Sequence, residues 1–249
     1  MKAMILERLK EIETEYGVTV LFASETGSRA WGFPSPDSDY DVRFIYMHPQ
    51  EWYLSIDEKR DTIEYLNGDL DLVGWDIRKS LQLLRKSTAA MFERLQSPIV
   101  YLEQIEFRLK LNQMMADYFS PKAGLHHYLS MASNYYKSCE GAELVKLKSY
   151  FYLLRTALAS LWIVEKSTVP PLLFQELLPL VKDGAMLEKI DTLLSLKSQK
   201  DETYLQAKDP ELENFVRSIL DYCESKAPEV KAHKGETEQL NQLFRSTLN

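Results

Sequence analysis

The segment Glu25-Thr26-Gly27-Ser28-Arg29-Ala30-Trp31-Gly32-Phe33-Pro34-Ser35-Pro36-Asp37-Ser38-Asp39-Tyr40-Asp41-Val42-Arg43-Phe44 decides how this 249-residue chain is read. The apolar run Val18–Ala23 before it reads as a strand that leads into Gly27-Ser28, where a short helix can open. A glycine there lets backbone N–H groups approach a ligand closely, and a helix start favours an anion. After ten residues beyond Ser28, Asp39-Tyr40-Asp41 heads a second apolar run, Tyr40–Met47. Residues two apart on a strand share a face, so Asp39 and Asp41 are expected to project together, with Arg43 continuing that face. Two carboxylates side by side repel unless a cation lies between them. Opposite a phosphate-friendly turn, the cation that fits is Mg²⁺, which takes carboxylates together with substrate phosphate oxygens. Arg43 is a further candidate for phosphate contact.

Outward from this segment, the run Leu70–Ile77 offers a third carboxylate, either Asp71 or Asp76. Three carboxylates and a phosphate turn are the parts of a two-metal site for in-line displacement at phosphorus. Asp76 competes with Asp71 for the role, but it also stands where a cap is needed for a helix starting near Ile77. Asp61–Leu66 reads as another strand, and Asn67-Gly68 between it and Leu70–Ile77 reads as a tight hairpin turn. Residues 2–16 suggest a helix with Met4, Ile5, Leu9 and Ile12 on one face. After Ile77 the periodicity is helical, with expected helices at 78–87, 89–96, 102–118, 122–139, 142–165, 172–181, 185–198, 210–225 and 236–247. The stretch 225–237 reads as a flexible link. The expectation is an α+β chain: an α/β domain over residues 1–100 with a small mixed sheet and flanking helices, then a helical C-terminal domain over 101–249.

Composition narrows the partners. With 37 acidic and 30 basic residues the formal net charge is −7, which excludes the globally basic footprint of a protein that holds nucleic acid by bulk charge. Two cysteines, Cys139 and Cys223, lie far apart without metal-ligand spacing, so neither a disulfide framework nor a cysteine zinc site is expected. No apolar stretch approaches the roughly 20 residues of a membrane span, and residues 1–17 lack a signal-peptide core. A cytoplasmic protein with no membrane partner is the expectation.

At this point the motifs resemble a family. Gly27-Ser28, ten intervening residues, Asp39-x-Asp41 and Asp71 on a later strand are similar to the signature of the DNA polymerase β-like nucleotidyltransferase superfamily. The longer string resembles the predicted nucleotidyltransferase family associated with RNA repair: Gly27-Ser28-Arg29-Ala30-Trp31-Gly32, Ser38–Arg43, Leu70–Asp76, Ser97-Pro98-Ile99-Val100-Tyr101, then Lys148–Arg155 with Trp162 and Pro170-Pro171. The resemblance spans about residues 20–180. It implies transfer of a nucleoside monophosphate from an NTP to an acceptor hydroxyl, an RNA end being one such acceptor, with Mg²⁺ or Mn²⁺ as cofactor. Asp39 and Asp41 would hold both ions, and Asp71 would hold the catalytic ion and help activate the acceptor. Gly27 and Ser28 would hold the β- and γ-phosphates. The other candidate nucleotide contacts are Arg29, Arg43, Lys148 and Arg155.

Each candidate has a plainer alternative. Arg29 contacts phosphate or pairs with Asp37 or Glu25. Lys148 and Arg155, seven apart on one helix amid aromatic residues, face a ligand or are paired internally. Trp31, Trp75 and Tyr101 read as core or cleft wall ahead of base-stacking surfaces. His126-His127 reads as helix surface and His48 as structural. The last helix, with Leu240, Leu243 and Phe244, can pack within the chain or against a second copy in a homodimer.

Overall fold

A computed structural model describes residues 1–139 and 143–248. In chain order the elements are α1 (Lys2–Tyr16), β1 (Thr19–Glu25), α2 (Gly27–Trp31), β2 (Tyr40–Met47), α3 (Gln50–Tyr53), β3 (Thr62–Asn67), β4 (Leu70–Asp76), α4 (Ile77–Arg85), α5 (Ala89–Gln96), β5 (Val100–Glu103) and α6 (Ile105–Tyr118). There follow α7 (Pro121–Cys139), β6 (Leu144–Lys146), α8 (Leu147–Lys166), α9 (Phe174–Leu177), α10 (Gly184–Lys197), β7 (Leu205–Ala207), α11 (Pro210–Lys226) and α12 (Thr237–Leu248). They form two units. One holds residues 1–30, 39–118 and 234–249, the other residues 31–38 and 119–233. Residues 101–118 and 234–249 thus belong with the sheet, and residues 31–38 with the helices.

The first unit is built on a five-stranded mixed sheet in the order β3-β4-β2-β1-β5, in which only β2 and β4 run parallel. Strand alternation gives the sheet two different faces. Val42, Phe44 and Tyr46 of β2 and Leu70 and Leu72 of β4 pack with Ile5, Leu9 and Ile12 of α1 in one buried cluster. Each such aliphatic side chain contributes about 1.5–3 kcal/mol when fully buried. Met4, expected on the same helical face, is exposed. The buried stripe of α1 is the Ile5–Leu9–Ile12 row, and position 4 falls at its edge. Gly74, the register partner of Phe44, leaves room for that ring: a Cβ there would lie 2.2 Å from it.

The hairpin turn falls one residue later than Asn67-Gly68. Asn67 pairs with Leu70, and Gly68 and Asp69 form the loop, with Gly68 at φ 56°. Val100–Glu103 extends beside β1, so the expected helix 102–118 starts at Ile105. The face of α12 is used within this unit. Leu240 and Leu243 are buried, and Phe244 meets Tyr53 edge-on at 5.1 Å.

In the second unit α7 and α11 pack against α8, which buries 12 of its 20 residues. The expected helix 142–165 begins at Leu147, because Leu144–Lys146 pairs antiparallel with Leu205–Ala207; residue 142 lies outside the described residues. The expected helix 172–181 is one turn of α9 followed by a 3₁₀ turn, Leu178–Leu180, where Pro179 has no N–H for a continuing ladder. The stretch expected as a flexible link is tied down instead. His233 N–H donates to Ser120 Oγ at 3.1 Å in the second unit, and Tyr118 Oη donates to the Glu236 carbonyl in the first. Among the described residues no helix is long and apolar enough to cross a membrane.

Candidate active site

The candidate residues of the first unit gather where β1 ends and where β2 and β4 begin. The parallel register pairs Asp41 with Asp71, so two carboxylates face each other across adjacent strands. Their side chains are 32% and 33% exposed. Arg43, two residues along β2 on the same face, lies between them: Nη2 is 3.1 Å from Asp41 Oδ1 and 2.8 Å from Asp71 Oδ2. Its Nη1 donates to the main-chain oxygens of Asp71 at 3.0 Å and Val42 at 3.2 Å. The cation that the paired carboxylates require is thus supplied by the chain itself.

The other oxygen of Asp41 lies against the glycine turn. Gly27 has φ 66°, and a Cβ built there would fall 2.3 Å from Asp41 Oδ2. Glycine is required for both reasons: the left-handed backbone and the contact. Thr26 holds the approach, donating to the Asp41 carbonyl from its N–H at 2.8 Å and from its hydroxyl at 3.0 Å. Ser28 is buried beside Gly27. Arg29 acts through its charge on Glu25, one of the partners expected of it. Its Nε–H donates to the Asp39 carbonyl at 3.0 Å, and its guanidinium lies 3.8 Å above the Tyr40 ring. Asp39, the residue before β2, is exposed.

Asp76, at the far end of β4, is almost wholly buried. One oxygen accepts from the Arg78 N–H at 2.8 Å as the N-cap of α4, and the other accepts from Tyr53 Oη at 2.7 Å. Burial pushes its carboxyl above the usual aspartate value.

Two groups near the carboxylates lie outside the expected site. Glu25 ends β1 and is fully buried. It accepts from the Asp41 N–H at 2.6 Å and from Tyr101 Oη, and burial raises its carboxyl above the usual glutamate value. A charged residue closing the otherwise uncharged run Val18–Ser24 is the cue in the sequence. Arg94 of α5 is 3% exposed, its guanidinium 3.2 Å over the Trp75 ring, with one long bond of 3.4 Å to the Phe44 carbonyl. Periodicity cannot flag it, since a cation on a buried helical face looks like a solvated one.

Lys148 and Arg155 lie on α8 in the second unit, and both have internal partners there. Lys148 pairs with Glu202, which also accepts from Ser38 Oγ at 2.7 Å. Arg155 is 2% exposed, 4.2 Å above the Trp31 ring, with Nε–H directed at the Leu172 carbonyl at 3.4 Å. Trp31 sits edge-on to Tyr152 at 4.9 Å, as core. His126 and His127 are exposed on α7, and His48 stacks on Trp52 at 4.0 Å.

For a divalent ion, the donor chemistry of the first unit fits. Asp41 and Asp71 offer hard oxygen donors side by side, next to the Gly27 turn. Among the described residues no group of three or more His, Cys, Asp or Glu forms a cage. Mg²⁺ does not require one, because it is held by one or two carboxylates plus waters and substrate phosphates.

The Bacillus subtilis (strain 168) protein described as "Uncharacterized protein YcgL" is 41% identical over 251 residues, covering all of this chain and 96% of the relative. The crystal structure of a nucleotidyltransferase-like protein from Exiguobacterium sibiricum 255-15 aligns with 98% of this chain and 79% of its own, at 13% identity and a TM-score of 0.33, too loose to match residues. A model of the RNA repair pathway DNA polymerase beta family matches residues 1–246, and the chain belongs to that family.

Proposed function

We propose that the protein transfers a nucleoside monophosphate from an NTP to an acceptor hydroxyl, at an RNA end, with Mg²⁺ or Mn²⁺ and release of pyrophosphate. The observation that supports this most is the register pairing of Asp41 with Asp71 beside the Gly27 backbone. It puts two carboxylates next to a turn whose N–H groups can meet phosphate.

In this reading Asp39, Asp41 and Asp71 hold the metal, which when bound screens the charge on the triphosphate and on the leaving pyrophosphate. Gly27 and Ser28 receive the β- and γ-phosphates, and Arg29 fixes the Asp39 main chain. Asp71 takes the proton of the acceptor hydroxyl as its oxygen bonds to the α-phosphorus and the bond to the bridging oxygen breaks. Glu25 holds the Asp41 N–H and so sets the height of that carboxylate. The acidic balance of the chain suits contact with a strand terminus better than with a long track.

A second reading, a nucleotide sensor without turnover, draws on one observation: Arg43 already gives the carboxylate pair a counter-charge. Incubation with each α-³²P-labelled NTP, Mg²⁺ or Mn²⁺ and a pool of cellular RNA and protein separates the readings. Metal-dependent label that nuclease removes and protease does not is the expected result. Label removed by protease overturns the RNA acceptor, and NTP binding without transfer under every condition supports the sensor.

A further inference from the structure

The ion pairs of Arg43 bear on how a metal enters the site; this inference rests on the nucleotidyltransferase reading above. One Arg43 nitrogen holds an oxygen of each carboxylate, while the other is anchored to main-chain oxygens. The three side chains together carry a net charge of only −1, so the pair offers a bare divalent ion weak attraction and one oxygen fewer on each side. Arg94 adds a second positive charge on the neighbouring helix, near-buried and without an ion pair among the described residues. A triphosphate changes the balance, because it brings its own negative charge and a bidentate acceptor that suits guanidinium geometry.

We propose that Arg43 is a built-in counter-ion that keeps the Asp41–Asp71 pair closed to divalent metal until a nucleoside triphosphate arrives, when its guanidinium moves from the carboxylates to the phosphates. Metal and nucleotide then bind together, and each strengthens the other's binding by the same factor.

Mn²⁺ binding followed by electron paramagnetic resonance, on the intact protein with and without a non-hydrolysable NTP analogue, tests this without turnover. The wild type binds Mn²⁺ weakly alone and far more tightly with the analogue. Arg43→Gln is expected to tighten nucleotide-free Mn²⁺ binding at least about tenfold and to narrow the gap between the two conditions. Equal nucleotide-free affinity in Arg43→Gln and wild type overturns the proposal. If Arg43→Gln folds poorly, Mn²⁺ alone should raise its melting temperature more than that of the wild type. Arg43→Lys, which keeps the charge but loses the fork, should fall between the two, and wild-type behaviour in both measurements counts against the proposal. Asp41→Asn separates the two claims. Losing Mn²⁺ binding in both conditions upholds the site, whatever Arg43→Gln does; retaining analogue-dependent binding sinks the site and this proposal with it.

Discussion

β4 carries an aspartate near each end, and the two meet opposite fates. Asp71 and Asp76 are five residues apart, so strand alternation turns them to opposite faces of the sheet. Asp71 keeps a third of its side chain open and is held by the Arg43 guanidinium. Asp76 is buried with both oxygens spent, one on the first turn of α4 and one on a tyrosine hydroxyl. A carboxylate whose acceptor sites are filled by fixed donors holds structure. One that keeps a third of its side chain exposed has acceptor sites open to a ligand. The same residue type on one strand thus divides into a proposed chemical role at Asp71 and a structural one at Asp76.

The sharpest way to break this contrast is to exchange the two roles. Asp71→Asn should lower transfer by roughly two to three orders of magnitude with little change in melting temperature, while Asp76→Asn, which still caps, should leave transfer close to wild type. If steady-state rates fall only for Asp76→Asn, the division is reversed. Gly27→Ala comes next. Its Cβ must displace the Asp41 carboxylate, and a shift of about 1 Å at such a site costs about a hundredfold in kcat/KM. A near-normal value for this variant would separate the glycine turn from the carboxylates.

At the other end of the strand, Asp76→Ala removes a helix cap and strands the Tyr53 hydroxyl. It should lose about 2–4 kcal/mol in urea unfolding; a loss under about 0.5 kcal/mol would mean that the cap is dispensable.

The smallest effect concerns Glu25. Burial raises its carboxyl in the folded chain. Below the unfolded value it is protonated in both states and costs nothing. As pH rises through the folded value, the buried charge lowers stability. The stability of the wild type relative to Glu25→Gln should therefore fall from acid toward neutral pH, and a pH-independent difference would contradict the assignment.

Much of this corner was legible in the sequence because its signals are local. Strand β2 falls on Tyr40–Met47 as read, and the cap at Asp76 follows from a carboxylate placed directly before a helical period. Signals that depend on pairing were not legible. Val100–Glu103 becomes a strand only because β1 has a free edge, and Leu144–Lys146 only because Leu205–Ala207 lies beside it. The carboxylates were foreseen on β2 and β4, but their closure by Arg43 depends on the parallel register of those strands, which no single run of residues encodes. Lys148 and Arg155 looked alike in sequence, seven apart on one helix. Burial separates them: Lys148 keeps 35% of its side chain open in an ion pair, whereas Arg155 is enclosed by an aromatic ring and a carbonyl.

The central claim is that paired carboxylates beside the Gly27 turn carry out metal-dependent nucleotidyl transfer. The most direct test is pyrophosphate release from an NTP in the presence of RNA and Mg²⁺ or Mn²⁺, with wild type beside the Asp39→Asn, Asp41→Asn double variant. Release by the wild type alone, with both proteins melting at the same temperature, is the expected result. Equal release by the two proteins would contradict the account.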